Sequence, residues 1–331
     1  MDKILLAHGS GGTMMRDLIE EVFVDSFSDV QLEDAATLDI PVGKLALSTD
    51  TFVVSPLFFP GGDIGHLAVC GTVNDVATAG AIPLYLSVGF ILEEGFPLDD
   101  LKKILASMAE CAREAGVKIV TGDTKVVDKG AADGIFINTT GVGVVRDGIN
   151  LSAANCQVGD KILLSGTLGD HGITIVSQRE GMGFGTTLET DAAPLNQLVN
   201  EVLDVAPATR VFRDPTRGGL ASCLNEIADA SEVSMLVIED DVPINQQVKG
   251  ACEMLGYDVF QVANEGKMVA IVPADQADAA LKAMQSAPYG ADAAVIGEVV
   301  EGAAGRVSLR NAFGATRIMD TLVGEQLPRI C

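Results

Sequence analysis

The chain contains no tryptophan, and aromatic residues make up only 5% of its 331 positions. Its cores must be filled by Ala, Val, Ile and Leu together with 36 glycines, which suits close-packed α/β layers more than an aromatic binding face. Basic side chains are scarce as well: 22 Lys and Arg stand against 46 Asp and Glu, a net charge of −24. Nucleic acid needs a basic footprint, and so does an anionic membrane surface, so both are argued against. Divalent cations remain compatible. Long apolar runs are missing: nothing approaches the roughly 18 uninterrupted residues of a membrane span. The longest candidate, Ala81 to Leu92, is broken by Pro83, Ser87 and Gly89. The six cysteines form no Cys-x-x-Cys pair, which excludes a zinc ribbon and disfavours a disulfide scaffold. Cys70, Cys111, Cys156, Cys223 and Cys252 read as small buried hydrophobes. His8 and His66 have no partners at metal-ligand spacing in the sequence. Met1-Asp2-Lys3 leads into a very short apolar run, not a signal segment, so the expected setting is a reduced cytoplasm.

What is present is a hydrophobic content of 48% in a chain long enough for two domains. Met15, Leu18, Ile19, Val22 and Phe23 give a helical stripe. Strands are expected over Lys44–Val54, Leu84–Leu92, Val117–Val120 and Ile135–Val145, with helices over Asp63–Gly80 and from Leu98 to a stop at Gly116. Turn residues cluster near 147–160, and the alternation then restarts. The second half shows strands at Lys161–Ser165, Met235–Ile238, Lys267–Val272, Ala294–Val300 and Val307–Leu309. Its helices follow Gly218-Gly219 to Ala230, then Gln246–Leu255 and Ala277–Met284. The expectation is an α/β to α+β protein with domains over 1–150 and 151–320 and a tail over 321–331.

Several segments carry chemistry. His8-Gly9-Ser10-Gly11-Gly12 precedes the first helix, where bare N–H groups can hold phosphate, although no Gly-Lys-Ser/Thr follows to make a Walker loop. Glu33-Asp34, Asp50, Asp75 and Asp123 sit beside Gly, Ala or Thr rather than in solvated runs. Taken one by one they read as caps or turns. Brought together they would repel unless a hard cation intervenes, and Mg²⁺ works with carboxylates plus phosphates. Arg213-Asp214-Pro215-Thr216-Arg217-Gly218-Gly219 packs two guanidiniums against a helix start, suited to phosphate or carboxylate. Glu265 lies in Asn264-Glu265-Gly266 before a strand. Gly169-Asp170-His171-Gly172 reads as a tight turn. The sequence closes on Pro328-Arg329-Ile330-Cys331. A thiol on such a segment can be loaded and moved, and Arg329 beside it is expected to favour the thiolate; a frayed end with an incidental cysteine is the plainer alternative.

Ser48-Thr49-Asp50, Asn74-Asp75-Val76-Ala77-Thr78-Ala79-Gly80-Ala81, Gly122-Asp123-Thr124 and Asp214-Pro215-Thr216-Arg217-Gly218-Gly219, with the glycine-rich opening, run through both halves. In these the chain resembles the superfamily of aminoimidazole ribonucleotide synthetase, selenophosphate synthetase and thiamine monophosphate kinase. The opening loop lacks the Cys-plus-Lys pattern of selenophosphate synthetases, and Glu33-Asp34 stands where paired aspartates are usual. The Cys331 tail narrows the resemblance to the carbamoyl dehydratases of hydrogenase maturation.

That resemblance implies a fold and a reaction. The N-terminal domains of a homodimer would join their strands into a barrel-like sheet with ATP in the clefts. ATP would be held by Gly9, Ser10, Gly11, Gly12, Thr49, Asn74, Thr124 and Arg217, and Mg²⁺ by Asp34, Asp50, Asp75 and Asp123. Cys331 would receive a carbamoyl group from the carbamoyltransferase HypF, be dehydrated to a thiocyanate, and pass cyanide to iron on the HypC–HypD complex. Lys125 would stabilise charge on the substrate oxygen, and Glu265 would take the amide proton, with Asp75 as another candidate. Two alternatives remain at this stage: a small-molecule kinase or synthetase of the superfamily, and a thiol carrier without nucleotide chemistry.

Overall fold

The computed structural model describes residues 3–9, 13–27, 36, 38–181, 188–321, 327 and 329–331. Helix α1, Thr13–Leu18, continues as a wider π-type turn over Ile19–Val24 and buries Leu18, Val22 and Phe23 of the expected stripe. Strand β1 follows at Leu45–Phe52. A short hairpin, β2 (Phe58–Phe59) and β3 (Gly62–Asp63), then leads into α2, Ile64–Thr78. The Asp63 carboxylate starts that helix by accepting from the N–H groups of Gly65 and His66 at 2.7 and 3.0 Å.

Strand β4 covers Ala81–Glu93, β5 Lys118–Val127 and β6 Ile135–Val145. The four-stranded sheet has the order β1-β6-β4-β5. Only β4 and β5 are parallel, and helix α3, Leu98–Ala115, makes the crossover that parallel neighbours require. It ends where Gly116 takes a left-handed φ of 72°. β5 runs well past the expected Val120, so Gly122-Asp123-Thr124 lies inside a strand.

Helix α2 rests directly on β6. A Cβ on Gly143 would stand 2.6 Å from Val76 and 2.7 Å from the Ile82 carbonyl, so the close approach needs glycine there. The Gly, Ala and Thr content of α2 thus serves packing, and most of the helix is buried. α2 and α3 cover one face of the sheet. The other face is open: Leu45, Leu47, Ile82 and Ile91 share it and are exposed.

The second half forms a seven-stranded sheet in the order β13-β12-β9-β11-β7-β10-β8. Its strands are β7 (Lys161–Leu164), β8 (Val211–Arg213), β9 (Ser234–Ile238), β10 (Val269–Val272), β11 (Ala294–Val300), β12 (Arg306–Arg310) and β13 (Thr316–Ile318). Helices α4 (Asp170–Glu180), α5 (Asn196–Val205), α6 (Gly219–Ala230), α7 (Gln246–Leu255) and α8 (Ala277–Ser286) surround it. Separate apolar clusters fill the two sides of this sheet. The expected tight turn at Gly169–Gly172 is instead the start of α4, with Gly169 at φ 84° just before it.

Asn74 joins the two halves from within α2. Its amide nitrogen donates to the carbonyls of Ala193 and Glu265 at 3.0 and 3.3 Å, and its oxygen accepts from Leu195 N–H at 2.7 Å. Among the described residues no helix is long and apolar enough to cross a membrane.

Candidate active site

A cleft of about 330 Å³ opens where β1, α2 and the β8–α6 turn meet. β1 contributes Thr49 and Asp50, and α2 contributes Gly71, Asp75 and Thr78. Arg213 ends β8, Asp214, Thr216 and Arg217 come from the turn, and Glu265 and Cys331 also line the cleft. The Gly-Gly of that turn has a steric cause. Gly219 opens α6 at φ 59°, and a Cβ there would lie 2.6 Å from the carbonyls of Phe260 and Val262.

The cleft is crowded with acid. Burial, and then the Asp214 carboxylate, push Asp75 up to about 6, although Ser48 donates a 2.7 Å hydrogen bond to it. Asp214 is raised by burial as well. Glu265 is fully enclosed, and burial followed by Asp214 and Asp191 holds its carboxyl well above the usual range. Its Oε1 has no hydrogen-bond partner among the described residues. Beneath it, Asp191 Oδ1 accepts from the Glu265 N–H at 3.1 Å, and Lys267 Nζ stands 3.2 Å from Asp191 Oδ2.

Cys331 is docked in this cleft by its own segment. The Val53 N–H donates to the Cys331 carbonyl at 3.0 Å, and the Ser55 N–H to that of Arg329 at 3.4 Å. Ile330 is buried in the core of the first half. The Ile330 carbonyl accepts from His171 Nε2 at 2.8 Å, so that nitrogen carries the proton and Nδ1 accepts from Thr190 Oγ1 at 2.7 Å. Arg329 points away from the thiol, donating to the Val53 carbonyl at 3.0 Å and pairing with Asp133 at 2.5 Å. The expectation that Arg329 favours the thiolate is therefore corrected. Burial, then Glu265, push the Cys331 thiol up to about 12, with Arg217 the partial counterweight.

The acidic set expected at one cation divides. Asp50 and Asp75 line the cleft with Asp214, whose two arginine neighbours in the sequence mask it as an acid of the site. Asp123 lies elsewhere. The row Asp50–Thr139–Val88–Gly122 crosses the sheet, so Asp123 and Asp50 sit on opposite edge strands. Three strand spacings of about 4.8 Å separate those strands. Asp123 there accepts from Lys125 at 2.7 Å, and this lowers its carboxyl. Lys125 is correspondingly outside the cleft of its own chain. Thr124 is buried, and the side chain of Asn74 is taken up by the seam between the halves. The segment Leu6–Gly9 packs against β5, the Asp123 edge. Ser10, Gly11, Gly12, Asp34 and Pro328 lie outside the described residues. His171 had no signal beyond its glycine neighbours, because its partner Ile330 is 159 positions away.

Comparison with known proteins follows this division. The AIR synthase related protein family matches with its N-terminal domain over residues 32–145 and its C-terminal domain over 157–310. Carbamoyl dehydratase HypE of Azotobacter vinelandii is 54% identical over 329 residues, covering 98% of this chain and 96% of that protein. The chain belongs to the HypE branch of the AIR synthase related family. A hydrogenase maturation protein HypE solved in complex with ATP superposes with a TM-score of 0.95 at 48% identity, over 99% of both chains. HypE from a HypE–HypF complex superposes with a TM-score of 0.83 at 51% identity, over 92% of this chain and 99% of that one.

Proposed function

We propose that the chain is a carbamoyl dehydratase that uses ATP to turn an S-carboxamide on its own Cys331 into a thiocyanate, the source of cyanide for NiFe hydrogenase maturation. The observation that carries this reading is the docking of Cys331 into the acidic cleft beside Glu265 and Arg217. A carboxamide oxygen is a poor leaving group. Here it attacks the γ-phosphorus of ATP and ADP departs. The C–O bond then breaks as the nitrogen gives up both protons, leaving S–C≡N, inorganic phosphate and ADP.

Glu265 is the group assigned to the first of those protons. Its free Oε1 is enclosed with the tail, and once a cation offsets the neighbouring acids its ionised form is a stronger base than an exposed glutamate. The same enclosure keeps water from the carbamoyl group. Asp50, Asp75 and Asp214 line the cleft as oxygen donors, and the burial and mutual repulsion that raise Asp75 suit a hard divalent cation shared with nucleotide phosphates. Mg²⁺ would offset charge on the transferring phosphoryl group. Arg217 would grip a phosphate, and Thr49 lines the same wall.

The open face of the first sheet and its outer strands β1 and β5, which pair with no further strand among the described residues, support a homodimer that closes into a barrel. Asp123 and Lys125, with the glycine loop after Gly9, would then serve the cleft of the second copy. In this scheme residues 1–150 bind nucleotide and dimerise, 151–320 supply the β8–α6 turn and Glu265, and 321–331 carry the acceptor. HypF would load Cys331, and the HypC–HypD complex would receive cyanide.

Mass analysis of Cys331 tests the reading directly. Incubation with the carbamoyl donor system should add one carbamoyl group, and ATP should then remove one water as ADP appears. Glu265→Gln should retain the carboxamide, with dehydration slowed on the order of 10²–10⁴-fold. Label that remains on a Cys331→Ala chain, or dehydration near the parental rate in Glu265→Gln, would overturn the assignments.

A further inference from the structure

Away from the cleft, α2 and α3 bring three soft donors together. His66 and Cys70 are one helical turn apart on α2, and Cys111 faces them from α3. One ring nitrogen of His66 and the two sulfurs all lie within 4.8 Å of one another. The sulfurs are 3.3 Å apart. Both cysteines are buried, while His66 is half-buried and gives the cluster a side towards solvent. His66 and Cys70 already stand at a ligand-like i,i+4 spacing in the sequence, but the third donor, Cys111, arrives from a different helix and leaves no local signal.

A second observation concerns the histidine. His66 Nε2 lies 3.0 Å from the Ala192 carbonyl. A carbonyl can only accept, so Nε2 holds the proton and Nδ1 keeps its lone pair. Metal-binding histidines are fixed in this way, by donating the other ring N–H to a carbonyl or carboxylate. The thiols point in the same direction. A pair of neutral thiols pressed together in an apolar seam is poorly solvated, and a cation between them would offset the cost of ionising both.

We propose that His66, Cys70 and Cys111 form a buried zinc site, with one coordination position left for water on the His66 side. Thiolate and imidazole donors select a soft or borderline ion over Mg²⁺. Two thiolates and a neutral imidazole around Zn²⁺ give an uncharged complex, which a buried seam favours over a charged one. Binding releases the two thiol protons and forms two Zn–S bonds and one Zn–N bond. At Zn–S distances of about 2.3 Å the sulfurs must open by roughly half an ångström from their present spacing. The ion would clamp α3 to the helix that carries Gly71 and Asp75 into the cleft.

The test uses the full chain with Cys331→Ser, so that the cleft thiol is absent, and excess Mg²⁺, so that the acidic cleft is supplied with a hard cation. Co²⁺ is the spectroscopic probe, and Zn²⁺ affinity is read against a chromophoric chelator. One equivalent of Co²⁺ should produce thiolate-to-metal charge transfer with tetrahedral d–d bands, displaced by Zn²⁺. Cys70→Ala and Cys111→Ala should each remove the charge-transfer band. His66→Gln, at a half-buried position that leaves the seam packed, should weaken Zn²⁺ at least tenfold with an unchanged circular dichroism spectrum. Absence of the band, its survival in either cysteine variant, or undiminished Zn²⁺ affinity in His66→Gln would overturn the site.

Discussion

Asp75 is the residue through which pH should reach the proposed chemistry. Its carboxyl titrates near 6 in the folded chain, above the ordinary aspartate value of 3.8. The folded state therefore holds a proton that the unfolded chain has already lost. Ionising Asp75 costs stability as pH rises from about 4 through about 6. A cation needs the ionised form, so Mg-nucleotide affinity should grow over the upper part of that same window. Calorimetry should show affinity falling by up to about tenfold per pH unit below about pH 6, one proton's worth. Asp75→Asn should bind weakly at every pH, and its thermal midpoint at pH 7.5 should equal or exceed the parent's. A loss of stability at that pH would contradict burial as the main cause of the shift.

At the scale of elements, the α2–β6 contact fixes the cleft wall, because Asp75 and Gly71 ride on the helix that β6 supports. Gly143→Ala should destabilise the chain by about 1–3 kcal/mol, the range for overpacking a tight contact. Denaturant midpoints check this, and a change of under about 0.5 kcal/mol would mean that α2 can shift freely. Much at this scale was legible in the sequence. The strand Ile135–Val145, the helix Gln246–Leu255 and the Gly-Gly start of α6 follow from local periodicity and from glycine at a crowded turn. The grouping of the acids was not. Asp50 and Asp123 look equivalent as carboxylates beside Thr or Gly, but strand order, set by pairing over tens of residues, sends them to opposite edges. α4 was read as a turn because its opening glycines mask a helix whose buried residues leave little amphipathic stripe.

At the scale of the whole molecule, the tail ties both halves together. Ile330 is packed in the core of the first half, while its carbonyl is held by His171 of the second. In this docked state the thiol is half-buried and raised, hence a poor nucleophile. Carbamoyl transfer thus calls for an undocked tail, and dehydration for a docked one. His171→Ala removes a buried hydrogen bond to the tail and should speed alkylation of Cys331 on the order of tenfold, with Cys252 and the other cysteines unaffected. The labelled peptides identify which thiol reacts. An unchanged rate would assign the docking to the remaining tail contacts, those of Val53, Ser55, Asp133 and the buried Ile330.

The strand order β1-β6-β4-β5 carries one more consequence. If Asp50 with Cys331 lies at one edge and Asp123 with Lys125 at the other, each chain holds two unlike halves of a centre. Two dead proteins should then rescue each other. Asp123→Ala and Cys331→Ser should each be inactive alone. Unfolded together and refolded as an equal mixture, about half of the dimers are mixed, and each mixed dimer rebuilds one intact centre out of two. Activity should return to about a quarter of the parent's. Complementation of that size is open only to a protein whose centres are shared between chains, whereas a mixture that stays silent would confine every centre to a single chain.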